Sequence, residues 1–174
     1  MNGKHWLLAG AGIVVLGIIS KVSGLLSLAN EIEIETDAQI HKVDLLGFEL
    51  RVYVKLKNPT SAQVKISFPF VKIIYQQQTI VNGVKTKTET TLVSSQPKTD
   101  VVLIEANKET SLPSPIILKG SWITLGMNAP TAVKEYRTNG RVNLIVRTRS
   151  EVTDLKKEII QDKLITIGNG EEKA

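Results

Sequence analysis

The chain has 174 residues, no cysteine and a formal net charge of +5. This leaves room for one domain with a core plus an appendage, and excludes a disulfide framework, a thiolate metal site and a thiol nucleophile. Its lysines and arginines are scattered singly among acidic residues and only 5% of residues are aromatic, the pattern of a solvated sheet face, so nucleic acid is not expected as a partner.

Residues 1–5 read as a short cytoplasmic N-terminus. Residues 6–29 hold one charge, Lys21, and at ~1.5 Å per helical residue they are long enough to cross a hydrocarbon layer of ~30 Å. A single transmembrane helix is expected, with the lipid bilayer as partner. The same residues also suit a cleaved secretory signal, with Lys4 and His5 as the charged start and Ser27-Leu28-Ala29 as the small-residue site. The apolar run continues past Lys21 through Leu25, Leu26 and Leu28, which favours the anchor. Gly10, Gly17 and Gly24 recur every seven residues with Ser20 between them, a small-residue stripe through which the span would pack against a second copy or a partner protein. Lys4 and His5 precede the span while Glu31, Glu33, Glu35 and Asp37 follow it. The positive-inside tendency therefore sends the bulk of the chain outside, into periplasm, cell surface or virion exterior.

The folded body, residues 31–167, is expected to start without a stalk. Ile32, Ile34, Ala38, Ile40 and Val43 give a long first strand with an acidic outer face. Leu45-Leu46-Gly47 turns into a second strand in which Leu50, Val52, Val54 and Leu56 alternate with Glu49, Arg51, Lys55 and Lys57, so one face is buried and the other wet. Asn58-Pro59-Thr60-Ser61 ends it, because proline has no N–H to donate and steers its predecessor away from the helical region. Val64, Ile66, Phe68 and Phe70 are expected to continue the inward face as the other half of a hairpin-like pair.

Gln76-Gln77-Gln78 reads as a polar turn and Asn82-Gly83 as a tight hairpin. Residues 85–93, rich in threonine and charge, read as an exposed edge strand. Residues 101–104 form a short, more buried strand, residues 107–110 a turn, and Ile116-Ile117-Leu118 a further apolar run. Pro130 in a first turn, Val133 and Tyr136 on one side and Asn139-Gly140 at the end mark one short helix covering an end of the domain. Residues 141–149 are a strand with Val142, Leu144 and Val146 inward. Residues 151–167 fit either a strand ending at 164–167 or an amphipathic helix using Leu155, Ile159 and Ile160; the strand is preferred. Residues 168–174 read as a disordered polar tail.

No residue set reads as a reaction centre, and no cofactor or metal is expected. His5 and His41 have no ligand partners at metal spacing. Glu31, Glu33, Glu35 and Asp37 point the same way at ~6.6 Å intervals along a strand and cannot converge on one ion. Ser94, Ser95, Ser111 and Ser114 lie in predicted loops with no histidine signature beside them.

The order of membrane span, alternating strands, Asn58-Pro59, Val64 to Phe70 in alternation, Tyr75 and Gly83 resembles the late embryogenesis abundant type 2 domain, also called the water stress and hypersensitive response domain. The resemblance covers roughly residues 32–149. It implies an all-β, immunoglobulin- or fibronectin-III-like sandwich, without enzymatic activity, with Asn58 and Pro59 as a structural motif. The only Asn-x-Ser/Thr triplet is Asn58-Pro59-Thr60, where proline blocks glycosylation, which favours a prokaryotic or viral setting. The expected function is that of a structural or binding module at a membrane surface, in a bacterial envelope or a membrane-containing virion. Lipid or apolar-ligand carriage and a stress-protective role are the alternatives.

Overall fold

The computed structural model describes residues 31–81 and 83–168. The first sheet is built on β2 (Gly47–Asn58), whose Leu50, Val52, Val54 and Leu56 are all buried. Antiparallel to it on one side runs β1 (Glu33–Val43), from Glu33 opposite Lys57 to Val43 opposite Phe48. The other side is shared by two short strands: β7 (Lys108–Ser111) along Lys55 to Asn58 and β8 (Ile116–Ser121) along Gly47 to Val52.

The second sheet is centred on β9 (Arg141–Val152), with β10 (Lys157–Gly168) paired along its whole length. On its other side β9 meets first β4 (Phe70–Val81) and then the end of β3 (Val64–Ser67). β5 (Val84–Ser94) extends the sheet beyond β4, and β6 (Val101–Ile104) extends it beyond β3. Between the sheets lies one apolar core to which Leu50, Leu56, Ile66, Ile73, Ile104, Leu118, Leu144 and Ile167 contribute fully buried side chains. The described residues therefore form a mostly β, two-sheet sandwich.

Two short helices close one end. α1 (Trp122–Asn128) starts at Ser121, whose Oγ accepts from the Ile123 N–H at 3.3 Å. α2 (Pro130–Asn139) ends at Gly140, which takes the left-handed conformation that favours glycine (φ 68°). A single helix was expected here. Pro130 cannot donate to the ladder of the preceding turn, so the helical segment breaks at Ala129 (φ −143°) and restarts.

Four other expectations change. β2 and β3 belong to opposite sheets, so the Asn58-Pro59 turn carries the chain across the sandwich and does not close a hairpin. Phe68-Pro69 interrupts the strand, and after it Val71 and Ile73, not Phe70, face the core. The glutamines at 76–78 lie inside β4, paired to Lys87, Thr88 and Glu89 of β5. Residues 108–111 are strand, entered through Asn107 at φ 53°. The tight hairpin at Gly83 is present, with Val81 opposite Val84, and residues 157–168 are strand, longer than expected. Among the described residues no helix is long and apolar enough to cross a membrane. The expected N-terminus at 1–5, span at 6–29 with Gly10, Gly17, Ser20 and Gly24, and tail beyond 168 lie outside the described residues.

Val54 is 2% exposed, so Val54→Asp buries an unpaired carboxylate at a cost of several kcal/mol, ~3 or more, against a total stability of about 5–15. Lys55 points outward between Glu35 (3.6 Å) and Glu109 (3.3 Å), so Lys55→Ala should cost no more than about 0.5 kcal/mol. Urea unfolding of the detergent-solubilised chain separates them. Equal midpoints would mean that the register of β2 is wrong.

Candidate functional site

The two ends of the sandwich differ. β1 begins beside the end of β2, so the chain enters the fold at the end that holds Asn58. Asn58 is 1% exposed, and its amide uses its full hydrogen-bonding capacity. Nδ2 donates to the carbonyls of Ala62 (2.8 Å), Glu105 (3.0 Å) and Ile104 (3.3 Å). Oδ1 accepts from the Thr60 N–H (3.1 Å) and the Thr60 hydroxyl (2.6 Å). Ile104 ends β6 in the opposite sheet, so this side chain ties the end of one sheet to the end of the other. Pro59 is exposed and shapes only the turn. The sequence marked Asn58 and Pro59 as a structural motif at the end of the strand; the reach of Asn58 across the sandwich and its dependence on buried Thr60 were not visible there.

Along one side, the edges of the two sheets are closed by a polar seam. Thr36 Oγ1 on β1 lies 2.9 Å from both Thr148 Oγ1 on β9 and Gln161 Oε1 on β10. An amide oxygen only accepts, so Thr36 donates to Gln161 and receives the Thr148 proton. Beside it Lys163 Nζ meets Asp37 Oδ1 at 3.1 Å. Outside this seam lies a cleft of about 590 Å³ lined by Tyr53, Val54, Leu112 and the paired groups Glu35, Lys55 and Lys163.

Both outward sheet faces carry networks of paired charge. On the first sheet Glu35 and Glu109 alternate with Lys55 and Lys57 across three strands, and Lys57 holds the Glu35 carboxyl below its ordinary value. On the second, Arg147 reaches Glu89 (2.8 Å) and Asp162 (2.7 Å), depressing both carboxyls. Arg149 pairs with Glu158. Among the described residues, no group of three or more His, Asp or Glu side chains is arranged to hold a metal.

The far end is built by the β1–β2 turn and the helices. Gly120 leaves room for the Phe48 ring, which a Cβ there would meet at 2.4 Å. Phe48 packs on Trp122 (centroids 5.5 Å apart), and Trp122 stacks on Tyr136 (5.4 Å). Trp122 also ties the helix to the turn, its Nε1 donating to the Asp44 carbonyl at 2.7 Å and its N–H to that of Leu46 at 3.1 Å. Tyr75 donates to Glu135 at 3.0 Å, and burial followed by that carboxylate pushes its phenol up to about 12. On top of this plug four large apolar side chains stand in solvent: Leu45 (98% exposed), Leu46 (78%), Ile123 (73%) and Met127 (72%). Ile123 and Met127 are four residues apart on α1 and share one face, while Leu125 turns into the core. The sequence offered Leu45-Leu46 only as a turn and so left this patch unremarked.

No family model matches the chain, and no curated protein sequence matches it. Among solved structures it is similar to the sporulation control protein Spo0M from Bacillus subtilis (TM-score 0.50, 15% identity, 78% of this chain and 48% of that one). It is also similar to a protein from Archaeoglobus fulgidus (0.47, 15%, 80% and 98%) and to AT1g01470 from Arabidopsis thaliana (0.43, 14%, 76% and 77%). At such identities the likeness to Spo0M bears on the fold alone, and this chain spans about half of that protein.

Asn58→Ala should cost about 3 kcal/mol, since it strands buried acceptors and the Thr60 donors together. Pro59→Ala, at an exposed turn position, should cost less than ~1 kcal/mol. Comparable losses from the two variants in urea unfolding would show that the turn, not the amide, holds this end. A second expectation concerns acid. Glu89 and Asp162 have folded values below their unfolded ones, so the stability they contribute is present above about pH 4 and is lost as pH falls through the folded values. The urea midpoint should therefore drop below about pH 4, and less steeply in Arg147→Met; parallel acid slopes would remove the Arg147 cluster as a cause.

Proposed function

We infer that the chain is a non-enzymatic, membrane-anchored sandwich of the late embryogenesis abundant type 2 kind, immunoglobulin- or fibronectin-III-like, serving as a structural or binding module at a membrane surface. The observation that carries this reading is the way the chain enters the fold. Ile32 is already buried and β1 pairs from Glu33 onward, so a domain following an apolar segment at 6–29 stands on the bilayer without a stalk. The sandwich then presents its long axis away from the membrane, and its charge-paired sheet faces leave the ends as the surfaces suited to contact. A bacterial envelope or a membrane-containing virion would supply the setting.

The seam cleft favours a second reading, because its volume is within the range of small-ligand sites. Its wall of paired charges suits a short amphiphile better than a long acyl chain. A ligand that binds only the folded state raises stability, so an unchanged melting temperature on adding a short-chain lipid in excess would remove this reading.

Membranes carrying the chain, washed in alkaline carbonate, should retain it in the pellet, and externally added protease should digest the domain in cells or virions whose outer surface it faces. Release of intact protein into the supernatant would contradict the anchor.

A further inference from the structure

We propose that the far end of the sandwich is a docking surface for a second, anionic lipid bilayer, so that the anchored chain spans the gap between two membranes. The proposal rests on the anchored reading above for the first of those membranes. Three observations carry it.

The first is apolar surface where a soluble end would have none. Leu45, Leu46, Ile123 and Met127 project from one contiguous platform, because the Trp122 hydrogen bonds hold α1 against the β1–β2 turn. Large apolar side chains at turn tips and on one helix face are what partial insertion into a headgroup region uses.

The second is charge. On the sheet faces Lys55, Lys57, Arg147, Arg149 and Lys163 meet carboxylates, and at this end Lys42 and Lys119 are matched too, to Asp44 and Glu49. Lys134 and Arg137 on α2, Arg141 at the start of β9 and Lys85 and Lys87 just past the hairpin tip are all exposed and have no ion-pair partner among the described residues. Glu135 is the carboxylate on α2, and it is engaged by Tyr75. An apolar tip among unmatched cations complements an anionic bilayer, since a basic side chain near such a surface contributes favourably and the effect decays within a Debye length. A protein partner of ordinary surface composition would call for matched charges at the rim; a second copy would set these cations against their own kind.

The third is position. The eleven residues of β1 span roughly 35 Å, and they lead from the entry end to the platform. With Ile32 buried, the anchored reading leaves only residues 30 and 31 between span and fold, too few to let the domain fold back onto the membrane that holds the anchor. The bilayer that meets Leu45 is therefore a different one.

Full-length chain reconstituted into phosphatidylcholine donor vesicles, mixed with fluorescent acceptor vesicles, tests this by co-sedimentation. Acceptors containing phosphatidylserine should be captured about tenfold better than pure phosphatidylcholine acceptors, and released by about 0.5 M salt. Leu45→Glu with Ile123→Glu should abolish capture, and Lys134→Glu with Arg137→Glu should reduce it about tenfold; the urea midpoint of each should stay at the parent value, because all four side chains are exposed. The proposal is overturned by absent capture, by equal capture of neutral acceptors, or by capture that survives either variant. Capture confined to acceptors that also carry the chain would assign the platform to a second copy and overturn it as well. Carbonate washing of the donors reads the anchor separately. Should the chain wash off, flotation of the released protein with phosphatidylserine vesicles still decides the platform.

Discussion

A single buried amide holds the entry end of this fold together. Asn58 sits where β2 leaves the first sheet, and its Nδ2 reaches carbonyls at the end of β6 in the second sheet. A sandwich core is non-directional: apolar side chains from two sheets attract without specifying how the sheets are aligned. The amide is directional, and burial makes it unforgiving, because each unmade bond would cost the desolvation of its partner. It thereby sets the alignment of strands that the core alone would let slide. Pro59 ends the ladder of β2 there, and Asn58 points inward because it continues the alternation of Leu50, Val52, Val54 and Leu56.

The same division between undirected burial and directed polar contact recurs along the side of the sandwich. Val142, Leu144 and Val146 of β9 face an apolar interior, but Thr148 and Ser150 continue that inward face with hydroxyls. Each is answered: Thr148 through Thr36 and Gln161, Ser150 through the Ser67 carbonyl at 3.1 Å. Where β1 and β10 approach at the open side, a polar seam thus replaces what would be an exposed apolar gap. The charged outer faces complete the pattern. Arg147 stands across β4 from Glu89 and beside Asp162 on β10, so these charges are neutralised within the outward face of the second sheet.

Much of this was legible in the sequence because alternation records burial directly. β1, β2 and β9 were placed by period two, β5 by its threonine and charge, and Gly83 by its hairpin chemistry. Two of the misreadings share one cause: side-chain polarity was taken as a guide to backbone pairing. Gln76 to Gln78 are polar, yet their backbones pair with β5 in an arm whose two faces are largely solvated. Lys108 to Ser111 likewise pair without an apolar face. Partner choice was equally hidden. Nothing local to residues 58–63 distinguishes a hairpin from a crossing between sheets; that follows from Ile104 and Glu105, more than forty residues away. The Asn58-Pro59 pair was therefore legible as the end of β2, while the reach of the amide to the other sheet was not.

The far end follows from the same logic by contrast. A chain that neutralises Glu35, Glu49, Glu89, Glu109 and Asp162 with cations on other strands of the same sheet has no stability reason to leave Leu45 and Ile123 in water. Neither side chain supports the plug beneath: Phe48, Trp122 and Tyr136 pack against one another, and Leu125 supplies the buried face of α1. Exchanging either for a polar residue would leave the core untouched. An exposed apolar group that packing does not require, held rigid by a tryptophan with two hydrogen bonds to the adjoining turn, is preorganised, and preorganisation removes part of the entropic cost of contact. The rigidity of the platform thus comes from the turn and the helix together, with neither of the exposed side chains contributing to it.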